Sequence, residues 1–78
     1  MAKIESFVRY ICKCSFVDDD GKVVDYYRAL VEIRQGGNVS YVLVKATRDW
    51  AEDFKGFGSP VCLYYDSRGR VIKSESLG

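Results

Sequence analysis

Apolar and polar residues alternate with a period of two from Ile4 to Phe16, from Val23 to Ile33 and from Val39 to Ala46, which predicts three half-buried strands. The alternation breaks in "TRDWAEDFKGFGSP", Thr47 to Pro60. There Asp49 is placed to cap a short helix, Glu52 follows three residues later, and Gly56 offers a stop. Trp50 and Phe54, four apart, share one face of that helix and are expected to plug an end or side of the core. Pro60 to Tyr65 and Val71 to Ser74 then read as short strands joined by the turn Asp66-Ser67-Arg68-Gly69. The fold class expected is mainly β: one domain over residues 1–78, a small five-stranded barrel or strongly curled antiparallel sheet with one short helix between strands 3 and 4. An OB-like barrel has this order of elements, and an SH3-like barrel serves the turn pattern as the alternative.

The turns fix which residues share a face. Three aspartates before Gly21 do not make an EF-hand loop, because Phe16 stands where the first ligand belongs and adjacent aspartates point in different directions. Asp20-Gly21 reads instead as a two-residue hairpin turn with Asp19 opposite Lys22. That register places Cys14, Cys12, Tyr10 and Val8 opposite Tyr27, Ala29, Val31 and Ile33 on an apolar face. On the other face Lys13 meets Arg28, Ile11 meets Leu30, Arg9 meets Glu32 as an ion pair, and Phe7 meets Arg34 as a cation–π contact. Gly36-Gly37, read as a second two-residue turn, places Val31, Ala29 and Tyr27 opposite Val42, Val44 and Ala46. On the far side it pairs Leu30 with Leu43, Arg28 with Lys45 and Glu32 with Tyr41.

Across the three strands, the second face is expected to hold a cationic row of Lys13, Arg28 and Lys45 beside an aliphatic row of Ile11, Leu30 and Leu43. Cations side by side across a sheet repel one another unless a ligand or acids offset them. With Arg9 added, and with Tyr26, Tyr41 and Phe57 as rings, this face could track a phosphate backbone while bases stack. Phe57 draws notice because Gly56 and Gly58 flank it in a loop. Tyr64 and Tyr65 alternate along their strand, so at least one is a surface ring. The aliphatic row needs a cover, and a homodimer or a protein partner is expected there.

Composition narrows the chemistry. The net charge is only +1, from 12 basic and 11 acidic side chains, so any polyanion site must come from local clustering. No histidine is present, which removes the commonest general base, and the chain is not expected to be an enzyme. Three cysteines fall one short of a closed structural zinc site, and neither a metal nor any other cofactor is expected. Cys12 and Cys14 are expected as buried thiols on the apolar face. The odd cysteine number suits a reducing compartment, and neither a basic-then-apolar leader nor a run of about 20 apolar residues occurs. A cytoplasmic protein with no membrane partner is therefore expected.

Tyr41 to Asp49, "YVLVKATRD", resembles a strand of the small single-stranded DNA-binding proteins of filamentous phages, which are OB-like dimers of similar length. The resemblance covers nine residues, and no functional residue is carried over from it. The function expected is a small single-stranded DNA- or RNA-binding protein. The alternative is a protein-interaction module or small inhibitor, encoded by a phage or mobile element, that docks through the aliphatic row.

Overall fold

The computed structural model describes residues 3–78 and has the order β1 (Ile4–Val17), β2 (Val23–Gln35), β3 (Asn38–Ala46), α1 (Arg48–Asp53), β4 (Pro60–Tyr65) and β5 (Val71–Ser76). The strands close into a barrel with neighbour order β1-β2-β3-β5-β4. β4 returns to β1 through Ser6↔Val61 and Phe7↔Pro60, and β3 meets β5 in parallel at Ala46↔Val71. This is the five-stranded barrel that the alternation predicts, with the helix between β3 and β4. Among the described residues, no helix is long and apolar enough to cross a membrane.

The core is small, built from Val8, Ala29, Val31, Ala46, Ala51, Val61 and Val71 around the one large ring of Trp50. Alanines at three of these positions leave room for the indole, whose Nε1–H donates to Ser74 Oγ at 2.9 Å and so keeps a partner away from water. The helix therefore packs against the inside of the barrel and leaves the outer face of β1, β2 and β3 uncovered. Its N-cap is Thr47 rather than Asp49. The Thr47 carbonyl accepts from the Ala51 N–H at 3.0 Å while its hydroxyl donates to the Val71 carbonyl at 3.1 Å, which ties the helix start to β5. Asp49 falls in the first turn, where unpaired N–H groups favour a negative charge. The helix ends before Gly56, with Phe54 extended and its ring 4.9 Å from that of Trp50. Gly56 serves close packing: a Cβ there would stand 3.1 Å from the Phe54 ring.

The Gly36-Gly37 turn forms as predicted, with both glycines at positive φ, and the whole β2–β3 register follows, including Leu30↔Leu43 and Arg28↔Lys45. The first turn differs. Gly21 alone has positive φ, the Gly21 N–H donates to the Asp18 carbonyl, and the Asp18 N–H donates to the Lys22 carbonyl. Asp18, not Asp19, therefore faces Lys22 across a three-residue loop. The cause is Asp18 Oδ1, which accepts from the N–H groups of both Asp20 and Lys22 at 2.9 Å. An aspartate that binds the backbone in this way favours a type I turn closed by a left-handed glycine over a turn with two left-handed residues.

One extra loop residue shifts the β1–β2 register by one: Cys14 pairs with Tyr26, Cys12 with Arg28, Ile11 with Ala29 and Tyr10 with Leu30. A bulge at Arg9 then shifts it again, so that Val8 meets Val31 and Phe7 meets Glu32. Between turn and bulge, every β1 side chain is on the face opposite to the one expected. Ile11 packs against the core, whereas Tyr10, Cys12 and Cys14 lie on the outer face. Past the bulge the expected faces return.

Candidate nucleic-acid interface

Beyond Tyr27↔Ala46, β2 has no third strand beside it, so the pairs from Cys14↔Tyr26 to Val17↔Val23 continue as a two-stranded arm. The arm gives the molecule its long axis, 49 Å against 23 and 22 Å. A cleft of about 510 Å³ opens where it leaves the barrel. One wall is the arm, with Lys13, Phe16, Tyr26 and Arg28; the other is the end of β3 with Lys45, the start of α1 with Arg48, and Arg70 just before β5. Five cationic side chains line the cleft against a single carboxylate, Asp25, so its local charge is strongly positive although the chain is nearly neutral.

The five cations are not equally committed. Arg48 Nε lies 2.9 Å from Glu52 Oε1, which also accepts the Tyr27 hydroxyl at 2.9 Å. These two bonds hold the Glu52 carboxyl below its ordinary range, the tyrosine contributing first. Arg70 Nε lies 2.8 Å from Asp66 Oδ2, and Asp66 is held below the usual carboxylate range, first by the Arg70 backbone N–H and then by its side chain. Lys13 meets Asp25 at 3.6 Å, with both side chains more than half exposed, an ion pair of little strength. Arg28 and Lys45 have no carboxylate within 4.0 Å among the described residues. Arg28 instead lies over the Tyr26 ring at 5.2 Å, and Tyr26 takes the Phe16 ring edge-on at 5.8 Å. Arg28 and Lys45 sit side by side on β2 and β3.

Of the residues expected at a nucleic-acid face, the cleft gathers Lys13, Tyr26, Arg28 and Lys45. Lys13 arrives by a different route: Cys12, not Lys13, is opposite Arg28, and Lys13 pairs with Tyr27 and reaches the cleft from its inner side. The predicted row of three cations is thus Cys12, Arg28, Lys45. Phe16, Arg48 and Arg70 were not legible as site residues. Arg48 and Arg70 come from separate segments joined only by barrel closure, and Phe16 depended on a turn one residue longer than the Asp-Gly signal suggests.

Arg9 and Tyr41 belong elsewhere. Glu32, only 5% exposed, accepts from Arg9 Nε and Nη2 at 3.2 Å, from Arg34 Nε at 2.6 Å and from the Tyr41 hydroxyl at 3.1 Å. The Arg9 hydrogen bonds, followed by those of Arg34 and Tyr41, bring its carboxyl down to about 2. Both guanidinium groups also lie over Phe7, at 5.3 and 4.7 Å. The expected Arg9–Glu32 ion pair and Phe7–Arg34 cation–π contact are therefore present, inside one closed cluster.

Phe57 is 47% exposed but sets its ring edge-on to Phe54 at 5.0 Å, away from the cleft. Tyr64 and Tyr65 are both surface rings. The aliphatic row is Tyr10, Leu30, Leu43 instead of Ile11, Leu30, Leu43, with Tyr10 and Leu43 each about three-fifths exposed (61%). Among the described residues no cluster of three or more His, Cys, Asp or Glu side chains is placed to hold a metal ion. Compared with family models, curated proteins and solved structures, the chain matches none of them.

Proposed function

We propose that the protein binds single-stranded nucleic acid in the cleft between the β1–β2 arm and the ends of β3 and β5. The observation that carries this reading is the adjacent pair Arg28 and Lys45, cations without carboxylate partners at the mouth of a cleft that also presents Tyr26 and Phe16. Phosphates neutralise such a pair, and rings at the same opening offer faces or edges to unpaired bases, which a duplex keeps stacked away. Lys13, Arg48 and Arg70 add positive potential around it.

The test is fluorescence anisotropy of a labelled mixed-sequence single strand at low and then moderate salt, beside a matched duplex. Tight binding that weakens steeply with salt and prefers the single strand supports the reading. No binding at low salt, or affinity indifferent to salt, sinks it.

One observation favours a second reading, a protein-interaction module: the outer row of Tyr10, Leu30 and Leu43 is left open by the helix. A partner retained after nuclease treatment and lost on Leu43→Asp, with the variant still folded, supports that reading; retention by Leu43→Asp removes it.

A further inference from the structure

Cys12 and Cys14 were expected in the core. The longer turn brings both to the outer face, half-buried, with their sulfurs 3.5 Å apart. Two residues along one strand separate Cα atoms by about 6.7 Å, at the upper end of the roughly 4.4–6.8 Å that a disulfide spans. Closure would bring the sulfurs to about 2.05 Å and pucker β1 between them, giving a strained bond of the kind that forms and breaks readily. Cys62 is remote, on β4 opposite Glu75. The residue between the two cysteines is Lys13, which lines the cleft, and the residues opposite them are Arg28 and Tyr26.

We propose that Cys12 and Cys14 form a reversible dithiol–disulfide couple, a modification site for low-molecular-weight disulfides of the glutathione type. The thiolate of one cysteine attacks a sulfur of glutathione disulfide, forming a mixed disulfide and releasing one glutathione thiolate. The neighbouring cysteine loses its proton, attacks the protein sulfur of that mixed disulfide and expels the second glutathione thiolate. Two protein thiols are oxidised by two electrons, one glutathione disulfide is reduced to two thiols, and the two protons that leave the protein are taken up by those thiols. Reduced, the Cys12 thiol is held above its ordinary range, first by its hydrogen bond to Cys14 and then by burial, so the dithiol is the resting form. Oxidation displaces Lys13 and the strand opposite Arg28; its effect on ligand rests on the nucleic-acid reading above.

The experiment equilibrates the whole chain in graded mixtures of glutathione disulfide and glutathione, followed by alkylation, intact mass and peptide mapping. The expected product has lost two hydrogens, protects Cys12 and Cys14 from alkylation, leaves Cys62 alkylated and returns to the dithiol with dithiothreitol. Cys62→Ser behaves the same, and Cys12→Ser and Cys14→Ser each stop at the mixed disulfide. A bond to Cys62, a disulfide-linked dimer as the main product, or a wild-type chain that stops at the mixed disulfide overturns the proposal. In parallel, anisotropy with the single strand should show the oxidised form binding about threefold more weakly, roughly one exposed charge contact. Equal binding by the two forms overturns the link to the cleft. Absence of binding in both forms overturns the nucleic-acid reading, and mass and mapping still decide the couple.

Discussion

Two groups of cations sit on the outer part of the same barrel, and they differ in what answers them. Around Glu32, two arginines and a tyrosine converge on one buried carboxylate and every strong donor has its acceptor. At the cleft, Arg28 and Lys45 stand side by side with no acid in reach among the described residues, and only the flanking Arg48 and Arg70 are closely tied to carboxylates. In the sequence the two groups form one continuous basic and aromatic face. The difference shows that a cation's availability depends on whether a buried acid claims it. Arg9 belongs to the scaffold and Arg28 to the surface that can meet a ligand.

The largest effect expected is on binding. Arg28→Glu with Lys45→Glu should weaken single-strand affinity by on the order of tenfold per reversed charge and flatten its dependence on salt, as anisotropy would read. The same double variant should melt within about 0.5 kcal/mol of the wild type, since both side chains are surface groups without ion partners. Next is Glu32→Gln, which leaves two guanidinium groups without their carboxylate. Urea unfolding should show a clear loss of stability, with single-strand affinity unchanged once the variant is folded.

Acid should separate the two regions in the same way. The Glu32 carboxyl titrates at about 2 when folded, against an ordinary value of 4.5, so the unfolded chain binds its proton first as pH falls. The cluster's contribution is thus complete above about pH 4.5 and is lost as pH drops from there towards 2. The stability difference between wild type and Glu32→Gln should shrink over that window in acid unfolding curves. The smallest effect is a contrast: Arg9→Ala should cost some stability and leave single-strand affinity and its salt dependence where they were. A large loss of affinity from Arg9→Ala would merge the two regions again.

The legible parts of the fold were those decided by local chemistry. Strand alternation, the Gly36-Gly37 turn and the break at Thr47 follow from β-branched runs, two left-handed glycines and a helical stretch. The β1–β2 register was not legible from the Asp-Gly signal alone. Asp18 and Asp66 build the same loop: each accepts two backbone N–H groups three residues before the left-handed Gly21 or Gly69 closes, so that Asp66-Ser67-Arg68-Gly69 repeats Asp18-Asp19-Asp20-Gly21. Aspartate at the first turn position and glycine at the fourth is the type I signature, and in the first turn the extra aspartates obscured it. The Arg9 bulge had no sequence mark, because it serves the bend with which β1 leaves β4 and extends as the arm. Half of the candidate site survived the shift in register, because β2 and β3 carry Tyr26, Arg28 and Lys45 and their pairing was right.

The most direct test of the distinction between the two cation groups is a backbone amide chemical-shift titration of the whole chain with a short mixed-sequence single-stranded DNA. The account predicts that the largest shifts map to the cleft, at Lys13, Tyr26, Arg28, Lys45, Arg48 and Arg70, with Arg9, Arg34 and Tyr41 little changed. Shifts centred on the Glu32 cluster, or none at low salt, would contradict it.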